Sequence, residues 1–121
     1  MLLPALFTLG TIATAFPATI PARPFNNNPI VVGDTLRVRC NVAGTSFDPL
    51  VNDSDPDGDT LTIVSAGATF GNVDIVGNAL LYESFDPGTD TIHYTVSDGH
   101  GGTAGGFVSV TIIGTAQQCF P

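Results

Sequence analysis

The sequence predicts an all-β sandwich preceded by an apolar N-terminal arm, and three observations carry that prediction. The 121 residues include 14 glycines and 9 prolines, which argues against long helices because both residues break helix interiors. Hydrophobic residues make up 43% of the chain and charged residues only 12%, an apolar content that disordered chains lack. Short alternating apolar runs recur at close spacing, as half-buried strands require. The length suits one domain with one modest core.

Residues 1–34 form the arm and a linker. No charged side chain occurs in residues 1–20. The stretch MLLPALFTLGTIATAFPA has the apolar run of a secretory signal, with Ala13-Thr14-Ala15 as a candidate cleavage site. It lacks the usual preceding cation, since Arg23 is the first. Only twelve residues separate Pro4 from Pro17, too few to span a bilayer, which takes ~20 apolar residues. Three readings stand: a cleaved signal, an extended arm packed on a neighbouring subunit, or an interfacial anchor. Leu6, Phe7, Leu9, Ile12 and Phe16 supply its apolar surface. Thr8, Thr11, Thr14 and Pro17 favour an extended chain over a helix. Asn26-Asn27-Asn28-Pro29 reads as a turn or linker.

Strands follow over residues 35–114. Thr35–Val42 alternates, with Leu36, Val38, Cys40 and Val42 on one face and Arg37 and Arg39 on the other. Ser46–Val51 is a second strand, bent at Pro49. Thr60–Val64 places Leu61 with Ile63, and Asn72–Val76 places Val73 with Ile75. Gly77-Asn78 turns the chain into Ala79–Phe85, with Leu80 and Tyr82 inward. Asp90–Ser97 turns Ile92, Tyr94 and Val96 inward, and Phe107–Ile113 does so with Val108, Val110 and Ile112. No window reads as helix. Residues 115–121 form a tail.

The charge is lopsided: eleven acids, ten of them Asp, against three arginines and no lysine, for a net charge of −8. That balance argues against nucleic-acid backbones and anionic membrane surfaces, which attract Lys/Arg patches. Asp in such excess favours turns and hard-cation sites. Cys40 and Cys119 are the two cysteines. A disulfide within the chain, a bond between subunits, or two unrelated buried thiols all remain open; a disulfide implies an oxidising environment.

The run Asn52-Asp53-Ser54-Asp55-Pro56-Asp57-Gly58-Asp59 carries the clearest chemistry. Its carboxylates fall at every second position, with a glycine for a sharp turn. Ca²⁺ takes 6–8 oxygen ligands, and without a cation such charges repel. An EF-hand is rejected, since Val64 stands where that loop needs a bidentate Glu, and a strand follows instead of a helix. The competing reading is a solvated acidic turn built of ordinary turn residues. His93 reads as a surface residue, and His100 as a loop residue that could ligate or meet a partner.

The segments SFDPLVNDSDPDGDTLTIVSAG and TDTIHYTVSDGHGGTAGGFVSVTI resemble the bacterial cadherin-like and Ig-like calcium-binding repeats of large surface adhesins, over roughly residues 43–113. That resemblance implies an Ig-like (cadherin-like) Greek-key β-sandwich used as a spacer or adhesive module. It also implies calcium as cofactor, with Asp53, Asp55, Asp57 and Asp59 as ligands and Asp98, in the Ser97-Asp98-Gly99 turn, as a further candidate.

The expected function is that of a non-enzymatic structural subunit of an extracellular assembly: a filament, an adhesin or a virion decoration on a cell or virion surface. The arm would join it to copies of itself or to other structural proteins by strand addition. The alternative is a secreted binding module, freed of its signal, that recognises carbohydrate or protein. No spacing pairs a nucleophile with its base.

Overall fold

The computed structural model describes residues 25–40 and 43–119. The arm residues Leu6, Phe7, Leu9, Ile12 and Phe16, and Val42 of the first expected strand, lie outside the described residues. Among the described residues, seven strands form two sheets: β1 (Asp34–Arg39), β2 (Thr45–Phe47), β3 (Thr62–Ala68), β4 (Asn72–Val76), β5 (Ala79–Glu83), β6 (Gly88–Ser97) and β7 (Thr103–Ile113). The four-stranded sheet has the order β1-β7-β6-β3 and the three-stranded sheet the order β2-β5-β4. β1 runs parallel to β7, and the remaining pairings are antiparallel.

Period-two alternation decides which side chains meet between the sheets. Val38, Ile63, Leu80, Tyr82, Ile92, Tyr94, Val96, Val108, Val110 and Ile112 form the buried cluster, as their spacing predicts. Ile75 is the exception: it remains 38% exposed, because β4 is the outer strand of its sheet.

Several strand boundaries differ from expectation: β1 stops at Arg39 and β5 at Glu83, short of Val42 and Phe85, and β6 starts earlier, at Gly88. The second strand ends at Phe47, because the Asp48 side chain accepts the Leu50 N–H at 2.9 Å and Pro49–Asn52 winds into a 3-10 turn. Proline lacks the N–H that a ladder needs and suits a helix start instead. The third strand begins two residues late and runs on to Ala68, with a register shift between Ile63 and Ser65. The seventh begins at Thr103 rather than Phe107. Its glycines conceal it, yet Gly106 has a reason: a Cβ there would run into the Tyr94 ring. In the tail, Ala116–Cys119 forms one helical turn, with the Thr115 hydroxyl accepting from Gln118 N.

The cysteines form a disulfide within the chain. Cys40, just past β1, joins Cys119 on the terminal helical turn, with a Cα–Cα distance of 5.1 Å. Both residues are buried against the end of the core. The bond ties this helical turn to the edge strand β1.

Residues 25–33 are bound to the sandwich and do not form a free linker. Ile30 and Ser54 exchange backbone hydrogen bonds at 2.7 and 3.0 Å, and Pro29 is buried. This places the chain's entry beside the acidic loop.

Candidate metal site at the acidic end of the sandwich

The loop between the 3-10 turn and β3 does not stay extended. Asp55 Oδ1 accepts from the backbone of Asp57 at 2.8 Å and of Asp59 at 3.3 Å, and Gly58 N–H reaches Asp55 O at 3.0 Å. Gly58 closes this turn at φ +80°, a left-handed conformation that favours glycine. The turn breaks the alternation on which the four-carboxylate reading rested.

Asp55 and Asp59 converge with Asp98, one carboxylate oxygen of each lying within 4.8 Å of the others. Oxygens bound at ~2.4 Å to one Ca²⁺ lie at most ~4.8 Å apart, so this spacing fits a shared cation. Asp55 Oδ2 is buried with no hydrogen bond, as is the neighbouring Asn26 Oδ1. All these donors are oxygens, the set preferred by hard cations. The triad can hold a metal ion.

Asp53 and Asp57 are used differently. Asp53 Oδ1 accepts the Val32 N–H at 2.9 Å, and its Oδ2 accepts the Tyr94 hydroxyl at 3.0 Å. Asp57 accepts the Asn27 backbone N–H at 2.7 Å and its side-chain amide at 3.1 Å. Both hold the entering segment in place and do not join the triad. Burial, reinforced by the hydrogen bond to Asp53, pushes the Tyr94 phenol well above its ordinary range. Burial also raises Asp34, which lies 3.4 Å from the same hydroxyl.

The turn after β6 fixes Asp98. Its Oδ1 accepts from His100 N at 2.7 Å and Gly102 N at 2.9 Å, and its Oδ2 accepts from Asn26 Nδ2 at 2.7 Å. Burial works to raise its pKa, but these bonds and the nearby His100 outweigh burial and hold it below the usual carboxylate range. A Cβ on Gly102 would collide with this carboxylate and with Asn26, which explains one glycine of the GHGG turn. His100 Nε2 lies 3.5 Å from Asp59 Oδ1, while His93 is on the outer sheet face against Phe107. Sequence reasoning missed Asn26 because nothing in the Asn-rich linker marks a contact 72 residues away.

The family model for the bacterial Ig domain matches residues 26–111. The chain belongs to the bacterial Ig domain family. Domains of this family are typically extracellular or surface modules and are generally non-enzymatic. No helix among the described residues is long and apolar enough to cross a membrane. No curated protein matches the sequence. Among solved structures, this bacterial Ig domain is similar to part of a nucleoside hydrolase-related protein from Saccharophagus degradans, described as associated with carbohydrate metabolism. The identity is 19% and the TM-score 0.54, over 73% of this chain and 26% of that one. It is also similar to part of an endo-fucoidan hydrolase of glycoside hydrolase family 107, at 20% identity and a TM-score of 0.47, over 74% of this chain and 16% of that one. The first likeness is one of fold alone, and the second is weaker still. The match begins at Asn26, so the family's own domain includes the segment that Asp53, Asp57 and Asp98 hold.

Proposed function

We propose that this bacterial Ig domain is a non-enzymatic structural subunit of a surface or extracellular assembly: a filament, an adhesin or a virion decoration. Ca²⁺ at Asp55, Asp59 and Asp98 would stiffen its N-terminal joint. One observation carries the reading: Asn26, Asn27, Ile30 and Val32 are all fastened to the acidic loop or to Asp98. A cation there would neutralise carboxylates that otherwise repel across the joint. The arm ahead of the joint then engages a neighbouring copy or another structural protein of the assembly. Its five large apolar side chains are a liability on a lone soluble chain. Burying them would favour association by ~1.5–3 kcal/mol each before binding costs.

Deletion of residues 1–24 tests this. The truncated chain is expected to keep its β-sheet circular dichroism and cooperative melting, while sedimentation velocity shows that the larger species of the full chain is lost. A truncated chain that assembles as the full chain does would refute the role of the arm.

A further inference from the structure

We infer a second binding site, for a neutral polysaccharide, centred on Phe70 at the end of the sandwich opposite the acidic cluster. This rests on neither the calcium nor the arm. Along β6, Asp90 beside Phe70 and Asp98 in the cluster are eight residues apart, or ~26 Å at ~3.3 Å per residue.

Phe70 is 81% exposed, yet its backbone is fixed. Asp90 Oδ1 accepts the Phe70 N–H at 3.0 Å, and Asp90 Oδ2 accepts that of Gly71 at 2.7 Å. These bonds hold the backbone at Phe70 in place, so the domain presents a large apolar side chain to water from a fixed point of the loop.

Two recesses flank that ring, and both include Phe70 and Thr89. The larger, about 330 Å³, is walled chiefly by the hydroxyl residues Thr69, Thr91, Ser109 and Thr111. The smaller, about 270 Å³, is bordered by Ser84, Phe85, Asp86, Pro87 and Ile112. Each is near the lower end of the ~300–1,000 Å³ range of small-ligand sites. Side by side across one ring, they suit consecutive units of a polymer.

The chemistry selects a sugar. A pyranose has an apolar C–H face to lie on phenylalanine and a rim of hydroxyls. Ser and Thr hydroxyls both donate and accept, so they can pair with that rim in either sense. A hydrocarbon chain would leave the hydroxyl wall without partners, which costs free energy on burial. A polyanion would approach a chain of net charge −8 against long-range repulsion. A neutral polysaccharide meets neither penalty.

Affinity electrophoresis of the full chain through gels containing an α-glucan, a β-1,3-glucan, a mannan, a xylan or polygalacturonate provides the test. At least one neutral polymer is expected to retard the protein, equally in calcium and in chelator and with little dependence on salt. Phe70→Ala should weaken that retardation at least about tenfold, as loss of a central aromatic contact does, with the melting temperature unchanged because the ring faces solvent. Phe107→Ala removes another exposed ring outside both recesses and should leave binding intact. Lack of retardation by every neutral polymer would overturn the proposal. Salt-sensitive retardation by polygalacturonate alone would do the same, as would equal losses in the two variants.

Discussion

Reducing the Cys40–Cys119 disulfide is expected to lower the stability of the domain by about 4 kcal/mol. The bond closes a separation of 79 residues, for which the chain-entropy model gives ~4–5 kcal/mol. It also holds structure that cannot hold itself. Ala116–Cys119 is a single turn, and isolated helices shorter than ~12 residues are marginal in water. Cys40 is attached at the end of β1, where its N–H reaches Ile113 O at 3.2 Å. Single domains have only ~5–15 kcal/mol in total, and for a domain of this size each 1 kcal/mol moves the melting temperature by ~4–8 °C. Calorimetry with and without reductant, and on a Cys40→Ala/Cys119→Ala variant, should therefore show a fall of about 15–30 °C. A shift of only a few degrees would mean that packing alone holds the helical turn.

Replacing Asp90 by Asn should be nearly as damaging, at about 3 kcal/mol. Asp90 is 5% exposed and accepts four hydrogen bonds. They come from Phe70 N at 3.0 Å and Thr91 N at 2.7 Å on Oδ1, and from Gly71 N at 2.7 Å and the Tyr82 hydroxyl at 2.6 Å on Oδ2. An amide offers one acceptor oxygen, so its NH₂ would face two of these donors. Buried donors left unpaired cost ~1–3 kcal/mol each and do not add fully. Urea unfolding of Asp90→Asn should show a lower midpoint at an unchanged slope. Wild-type stability at this variant would contradict the network.

The same residue gives the domain an acid limit. Burial works to raise the pKa of Asp90, but the bonds from Tyr82, Gly71, Thr91 and Phe70 outweigh it and hold the carboxyl below its usual value of 3.8. A depressed folded-state pKa stabilises above the unfolded value and loses that contribution as pH falls through the folded one. Asp34 acts in the opposite sense, because burial raises it and acidification relieves that cost. The Asp90 contribution is therefore complete at neutral pH and lost below about pH 4, and Asp90→Asn should flatten the acid side of the stability curve. Tyr82, its phenol pushed up to about 12 by burial and by Asp90, stays protonated throughout this range.

Much of the fold was legible because inward and outward positions alternate with period two. Leu80 and Tyr82, then Ile92, Tyr94 and Val96, then Val108, Val110 and Ile112 face inward as their spacing requires. The boundaries were less legible where a special residue outweighs the pattern. Pro49 starts a helical turn, and Gly105 and Gly106 extend β7 despite their poor strand propensity. In the acidic loop, composition located the site but not its geometry. Asp53 to Asp59 alternate in sequence, yet the turn at Gly58 gathers Asp55 and Asp59 toward Asp98 and leaves Asp53 and Asp57 to grip Val32 and Asn27. Those partners lie 21 and 30 residues away, and no local spacing encodes such distances. Asp90 was illegible for the same reason: in sequence it is one acid between Thr89 and Thr91, and only the folded chain brings Phe70, Gly71 and Tyr82 to it.

Amide hydrogen exchange of the full chain in millimolar Ca²⁺ against chelator tests the cation-locked joint most directly. An ion that binds only the folded joint suppresses local opening in proportion to its occupancy. The amides of Asn27 and Val32, which donate to Asp57 and Asp53, should exchange at least about tenfold more slowly in Ca²⁺, and Asp59→Asn should abolish the difference. Identical exchange of residues 25–32 in Ca²⁺ and in chelator would contradict it.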